Sequence, residues 1–108
     1  MKENLLKIIN HYGLMKQLKY IHSEYFELDE AILNYQSSGF DFNYDEEAKD
    51  IEKEYKNHIV GEIADIMVML RQIQYYYGIP DEDVEAVMNY KIGRQLDRIK
   101  GEKNNEIK

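Results

Sequence analysis

Four carboxylates stand at matched spacing in two stretches of the sequence. Glu24 and Glu27 are three residues apart, and so are Glu62 and Asp65. In a helix, at about 100° per residue, residues three apart lie on the same side. Each acid directly precedes an apolar or tyrosine position of its helix. If the two helices pack antiparallel, as a short connection favours, all four side chains converge on one edge of the pair. We call these four residues the acid cluster.

The chemistry that suits such a cluster is the binding of a hard cation. Carboxylates brought together repel one another and raise their own pKa values unless a cation neutralises them. Oxygen ligands fit Mg²⁺, with Mn²⁺ as a second possibility, and Mg²⁺ commonly orients phosphate groups for hydrolysis. The alternative is a solvated helix face, since Glu pairs at this spacing are common. The matching position of both pairs favours the metal site.

A second group of residues carries the opposite charge. Lys91, Arg94 and Arg98 are spaced three and four apart, which places three cations on one helix face. Lys and Arg side chains bind phosphate oxygens, and we expect Lys91 and Arg94 to do so here. The alternative is that the cations favour the negative end of the helix dipole, to which we assign Arg98. We call these three residues the basic face.

The composition of the rest of the chain favours helices. One Pro and six Gly leave few places for tight turns, and helix formers fill the intervals between them. The sequence predicts an all-α fold, an antiparallel helical bundle of about four helices. The expected helices are 3–11, 14–36, 53–77 and 81–99, with a break or bend before Lys56.

The second and third helices carry the clearest apolar periodicity. Their apolar residues alternate at intervals of four and three, which is typical of a seam between packed helices. The expected seam residues of the second helix are Leu14, Leu18, Ile21, Tyr25, Leu28, Ile32 and Tyr35. Those of the third helix are Ile59, Ile63, Ile66, Leu70, Ile73 and Tyr77.

Length and composition bound the possibilities further. The 108 residues suffice for one domain, which we place at 1–99, with 100–108 as a disordered tail. The absence of Cys excludes disulfides, thiolate metal sites and Cys nucleophiles. A net charge of −7 argues against nucleic acid as a partner. The sequence has no long apolar run, so we expect neither a leader nor a membrane span, and a cytoplasmic protein.

Two stretches also resemble a known family. Residues Gln17–Ile32 and Gly61–Leu70 resemble the MazG-like all-α nucleoside triphosphate pyrophosphohydrolases, and the likeness extends over 11–99. That family's pattern is Glu-Glu-x-x-Glu followed by Glu-x-x-Asp. The resemblance implies that the acid cluster binds Mg²⁺ and that Glu27 is the base for the attacking water. The first Glu of the family pattern is Ser23 here.

The resemblance also implies an activity and an assembly. It points to a Mg²⁺-dependent enzyme that converts a (d)NTP and water to a (d)NMP and pyrophosphate, in nucleotide-pool housekeeping. It implies a homodimer or a homotetramer. An alternative of a different class is a non-catalytic helical adaptor that oligomerises through its apolar faces and exposes the acids to solvent.

Overall fold

The computed structural model describes residues 1–38 and 46–107, with side chains described as far as 104. The described residues form four helices and no strand, so the all-α prediction is confirmed. These are α1 (Lys2–Tyr12), α2 (Leu14–Gln36), α3 (Glu46–Tyr76) and α4 (Asp81–Ile107). The chain divides into two compact units, Met1–Tyr76 and Tyr77–Lys108. None of the described helices is both long enough and apolar enough to cross a bilayer.

Two glycines in the left-handed region separate helices. Gly13 has φ 91° and is the only residue between α1 and α2. Its N–H donates to the Ile9 carbonyl at 2.7 Å, which completes the end of α1. Gly78, with φ 68°, stands in the second unit shortly before Pro80 and the acidic first turn of α4. A side chain at either φ would strain the backbone, so Gly suits both positions.

Two predicted helix boundaries are wrong. We expected the third helix to begin at residue 53, with a break or bend before Lys56, whereas α3 begins at Glu46 and runs unbroken to Tyr76. At about 1.5 Å per residue it is a rod of about 46 Å. We also expected α4 to end at residue 99, whereas it continues to Ile107. Residues 46–52 are mostly Glu, Ala and Lys, and residues 100–107 include two Lys and two Glu, and such residues continue a helix even without an apolar stripe. The prediction of one domain over 1–99 stays a prediction.

The first unit has its core where α1, α2 and α3 meet. Helix α1 contributes Leu5 and Ile9, and the Ile9 side chain is completely buried. Lys2 lies over the ring of Tyr75, 5.6 Å from its centroid, so the start of α1 lies beside the end of α3. Helix α3 therefore packs against two neighbours, and its buried face is broader than the one stripe that a two-helix seam requires.

The contacts between α2 and α3 show that these helices are antiparallel. Near the start of α2, Gln17 bonds to Gln72, close to the end of α3. Near the end of α2, the Tyr35 hydroxyl donates to Glu52 at 2.9 Å, in the first half of α3. The residue numbers of the two bonded pairs add to nearly the same value, as antiparallel packing in one register requires.

The buried faces of α2 and α3 differ from the predicted seam by about one position. Along α2 the buried or half-buried side chains include Ile21, Leu28 and Tyr35, as predicted. In the other predicted row Leu18 is half-buried, but Tyr25 and Ile32 are 46% and 40% exposed. The positions that alternate with the first row are instead occupied by Gln17, Glu24 and Ala31.

The same shift occurs in α3. Ile66 is buried as predicted, but Ile63 and Leu70 are each 45% exposed. Glu62 and Met69 are buried in their place. Each helix is thus rotated toward its acids, so Glu24 and Glu62 lie within the helix contact and not beside it.

The complete burial of Ile9 leads to a stability prediction. Ile9→Ala should lower the free energy of unfolding by about 2–4 kcal/mol, because it removes buried methyl groups and leaves a cavity. Urea unfolding followed by circular dichroism measures the loss. Ile8→Ala is the matched control, since Ile8 is the adjacent residue and is 37% exposed. Equal losses in the two variants would contradict the packing described.

Candidate metal centre

Antiparallel packing brings the predicted acids together. In the register that pairs Gln17 with Gln72, Glu24 lies level with Asp65 and Glu27 lies level with Glu62. Carboxylate oxygens of Glu24, Glu62 and Asp65 lie within 4.8 Å of one another. Glu27 lies near enough to Glu24 for its charge to raise the pKa of the Glu24 carboxyl. The structure therefore places all four predicted acids at one locus of the α2–α3 contact.

The four acids differ in their access to solvent. Glu62 is only 9% exposed and Glu24 is half-buried, whereas Asp65 and Glu27 are exposed. The two more buried carboxyls face each other across the contact, and the two exposed ones lie at its rim. The locus is therefore closed on one side and open on the other, so a small ion or a water can reach the carboxylates from solvent.

Among the residues that the structure describes, two carboxylate oxygens are buried without a hydrogen-bond partner. They are Glu24 Oε2 and Glu62 Oε2. A buried acceptor that has lost its water and gained no donor is costly, and the cost is larger when the group is charged. A divalent cation beside these atoms would compensate for both the lost hydration and the mutual repulsion.

One described cation-capable side chain is adjacent to the cluster. His58 lies one helical turn before Glu62, and its Nε2 atom is 3.5 Å from Glu62 Oε1. The His58 side chain is 58% exposed, so this contact is at the surface. His58 was not among the residues predicted for the site. Its spacing of four from Glu62 is the signal that could have identified it.

The environment of Glu24 alters its acidity. Burial raises the pKa of this carboxyl from 4.5 to about 7. The charges of Glu27 and Asp65, the hydrogen bond with Glu27 and the charge of Glu62 act in the same direction. Crowded carboxylates favour the protonated form of one member, since that removes one of the repelling charges. In the absence of metal, Glu24 therefore holds its proton at pH values well above the usual range of a carboxyl and loses it as the pH rises through about 7.

The donor set fits a hard divalent cation. All four acids offer oxygen, and Mg²⁺ and Mn²⁺ are both bound by carboxylates together with water or phosphate oxygens. Glu24, Glu62 and Asp65 are the residues whose oxygens are close enough together to share one ion. Glu27 lies beside this set, since its charge raises the pKa of Glu24.

The basic face lies in the second unit. Lys91, Arg94 and Arg98 line one shallow groove on α4 together with Gln95, so the predicted common face is confirmed. The Arg94 guanidinium lies 6.0 Å from the centroid of the Tyr90 ring. Arg98, which we assigned to the helix dipole, shares the groove with the other two cations. Because α4 continues to Ile107, none of the three is in its last turn, which removes the dipole explanation.

The raised pKa of Glu24 predicts how stability depends on pH. In the unfolded chain the carboxyl binds its proton more weakly, so a proton on Glu24 favours the folded state. This contribution is complete below about pH 4.5 and is lost as the pH rises through about 7. In EDTA, the urea midpoint should therefore fall between pH 5 and pH 8.

A substitution of Glu24 shows how much of the decrease in the urea midpoint between pH 5 and pH 8 comes from this carboxyl. Glu24→Gln should unfold at higher urea than the unmodified protein at pH 8 in EDTA, and its midpoint should change less with pH. The control is Glu30→Gln, which removes an exposed carboxylate of the same helix. If the urea midpoints of Glu24→Gln and of the unmodified protein change equally with pH, the claim that the pKa of Glu24 is raised in the cluster is wrong.

The comparisons with known proteins add no relative to this picture. Neither a family model nor a curated protein nor a solved structure matches the chain.

Proposed function

We propose that this protein is a Mg²⁺-dependent nucleoside triphosphate pyrophosphohydrolase. The observation that carries the proposal is the convergence of Glu24, Glu62 and Asp65 from two antiparallel helices, with two buried carboxylate oxygens that lack partners. Unpaired buried carboxylates destabilise a fold, so their presence is more readily explained by a cation than by packing. The resemblance to the MazG-like enzymes supports the same chemistry.

In this proposal the acid cluster holds one or more Mg²⁺ ions. The bound metal would supply charge neutralisation for the triphosphate oxygens. Glu62 is the most buried of the four acids, and we assign it as a ligand on the closed side of the cluster. Asp65 and Glu27 lie at the exposed rim, where substrate and water have access. Ser23 replaces the first Glu of the family pattern, and the four remaining acids suffice as ligands.

Glu27 is the proposed base. Its carboxylate is exposed to solvent, and it lies near enough to Glu24 for its charge to raise the pKa of that carboxyl. Glu27 would accept a proton from water while the water oxygen forms a bond to the α phosphorus. The bond from that phosphorus to the oxygen bridging the α and β phosphates breaks, and pyrophosphate leaves. The products are a nucleoside monophosphate and pyrophosphate.

A second candidate function has its own supporting observation. Several large apolar side chains of the first unit are well exposed, including Phe26, Leu33 and Val60 at 63%, 64% and 62%. Phe26 and Leu33 are seven residues apart and therefore share one face of α2, and an apolar face left exposed is typical of a surface that another protein covers. They support the homodimer or homotetramer that we propose for the enzyme. They would equally suit a non-catalytic helical adaptor. An assay of nucleotide hydrolysis therefore has to distinguish the enzyme from the adaptor.

The first test of the enzyme is product analysis. Purified protein incubated with a panel of standard and modified (d)NTPs should release monophosphate and pyrophosphate with Mg²⁺ and neither with EDTA. Ion-exchange chromatography identifies the products. Release of inorganic phosphate in place of pyrophosphate would contradict cleavage between the α and β phosphates. Absence of turnover across the panel would favour the adaptor.

The same assay tests the metal ligands. Glu62→Gln should lower turnover by roughly 100-fold or more, because it removes one charge from the site that stabilises the transition state. Glu47→Gln is the matched control, since it makes the same change at an exposed position of the same helix. An adaptor would fold and associate unchanged in both variants. Undiminished hydrolysis by Glu62→Gln would exclude Glu62 as a ligand.

The basic face is tested separately. Lys91→Ala and Arg94→Ala should each lower kcat/KM by roughly 10- to 100-fold, as loss of a charged hydrogen bond to phosphate would. Lys100→Ala, an exposed cation on the same helix, should have little effect. Arg98→Ala shows whether the third cation of the groove participates. Equal activity of the Lys91, Arg94 and Lys100 variants would remove the phosphate-binding assignment.

A further inference from the structure

A pair of buried amides crosses the contact between α2 and α3. Gln17 Nε2 donates to Gln72 Oε1 at 2.9 Å, and the two residues are 4% and 1% exposed. We call them the amide pair. Gln72 is one of the two largest side chains of the described residues that are completely buried, the other being Ile9. A position with this degree of burial is ordinarily apolar.

The amide pair is not well satisfied. Gln17 Oε1 is buried and has no hydrogen-bond partner within the described part of the chain. The Gln72 amide nitrogen meets the Met69 sulfur at 3.8 Å, and sulfur is a weak acceptor. A buried amide with incomplete hydrogen bonding contributes less to stability than an apolar side chain of the same size. The pair therefore calls for an explanation other than stabilisation of the core.

The position of the amide pair relative to the acids suggests an explanation for its burial. Gln17 is seven residues before Glu24 on α2, and Gln72 is seven residues after Asp65 on α3. Seven residues are about two turns, so each Gln shares a helix face with its acid, about 10 Å away along the axis. Because the helices are antiparallel, the register that joins Gln17 to Gln72 also sets Glu24 level with Asp65.

The apolar part of the same contact specifies this register weakly. Ile21, Leu28, Ile66 and Met69 are of similar size, and such residues can exchange partners with little change in packing. A slip of one heptad would place Gln72 level with Glu24 and Asp65 level with Ala31. The acids would then separate, and each amide would lose its partner. An unpaired buried amide disfavours the slipped state, as a single buried polar residue does in coiled coils.

We infer that Gln17 and Gln72 are positioning residues that fix the register of α2 against α3 and thereby assemble the acid cluster. The pair acts through the helices and does not contact the acids. Its loss should leave a folded helical protein whose carboxylates no longer converge. The effect on metal binding rests on the proposed function, whereas the effect on register does not.

The test replaces both amides by near-isosteric apolar side chains. The Gln17→Met/Gln72→Met variant keeps the volume and removes the hydrogen bond, and Gln17→Leu/Gln72→Leu is a second variant of the same kind. Gln74→Leu is the control, because Gln74 is also a buried amide of α3 and accepts a hydrogen bond from Arg71 within its own helix. Circular dichroism and urea unfolding establish folding and stability.

The register is measured by a distance between spin labels. The chain has no Cys, so Lys19→Cys and Lys53→Cys, both at exposed positions, introduce the only attachment sites. Their levels differ by about 25 Å along the helix axes, and a slip of one turn or one heptad changes this offset by about 5 or 10 Å. Pulsed electron paramagnetic resonance resolves such shifts. A parallel titration with Mn²⁺ measures the affinity of the acid cluster.

The expected result is a single narrow distance in the unmodified protein and in Gln74→Leu, and a broadened or displaced distribution in both double variants. The Mn²⁺ affinity of the double variants should fall roughly tenfold or more, which is typical when residues that position metal ligands are removed. A folded double variant with the unmodified distance would overturn the inference, as would failure of both double variants to fold. A changed distance with no Mn²⁺ binding by any variant would support the register role and count against the proposed function alone.

Discussion

The mutual repulsion of carboxylates inside a helix contact is the constraint on which this structure depends. Glu24 and Glu62 occupy positions in the α2–α3 contact that an ordinary bundle would give to Leu or Ile. Each has a buried oxygen without a partner, and the pKa of Glu24 is raised to about 7 as a result. Protonation relieves part of this cost, and a divalent cation would relieve more of it.

The rest of the first unit compensates for that unfavourable contact. Helix α1 packs on α3 through Leu5 and the fully buried Ile9, which adds apolar burial that the acidic part of the contact lacks. At the far end of α2, Tyr35 and Lys56 both bond to Glu52 at 2.9 Å, which joins α2 to the first half of α3. The amide pair joins the helices on one side of the acids, and the bonds of Tyr35 and Lys56 to Glu52 lie on the other side. Together they keep α2 and α3 aligned.

The elements were largely predictable from the sequence, and the details of their packing were not. Helix formers, the glycines and Pro80 predict where α2 and the start of α4 lie, because these signals act within a few residues. The predicted break before Lys56 failed because it was argued from domain size and not from a local breaker. The seam was displaced because apolar periodicity ranks positions by hydrophobicity alone. Periodicity gives no information on the fact that α3 packs against α1 as well as α2. Because of this double packing, Met69 and Gln72 are buried and Leu70 is half exposed.

The sequence by itself determined which residues could form the site, since the spacing of Glu24, Glu27, Glu62 and Asp65 places each pair on one helix face whatever the tertiary structure. Only the tertiary structure decided that the two pairs meet, that Glu24 and Glu62 are the more buried members, and that Gln17 bonds to Gln72 beside them. The physical reason is that helical periodicity is a local property of the chain. Register and helix rotation depend on contacts between residues far apart in sequence, and these contacts set both the burial of a carboxylate and its pKa.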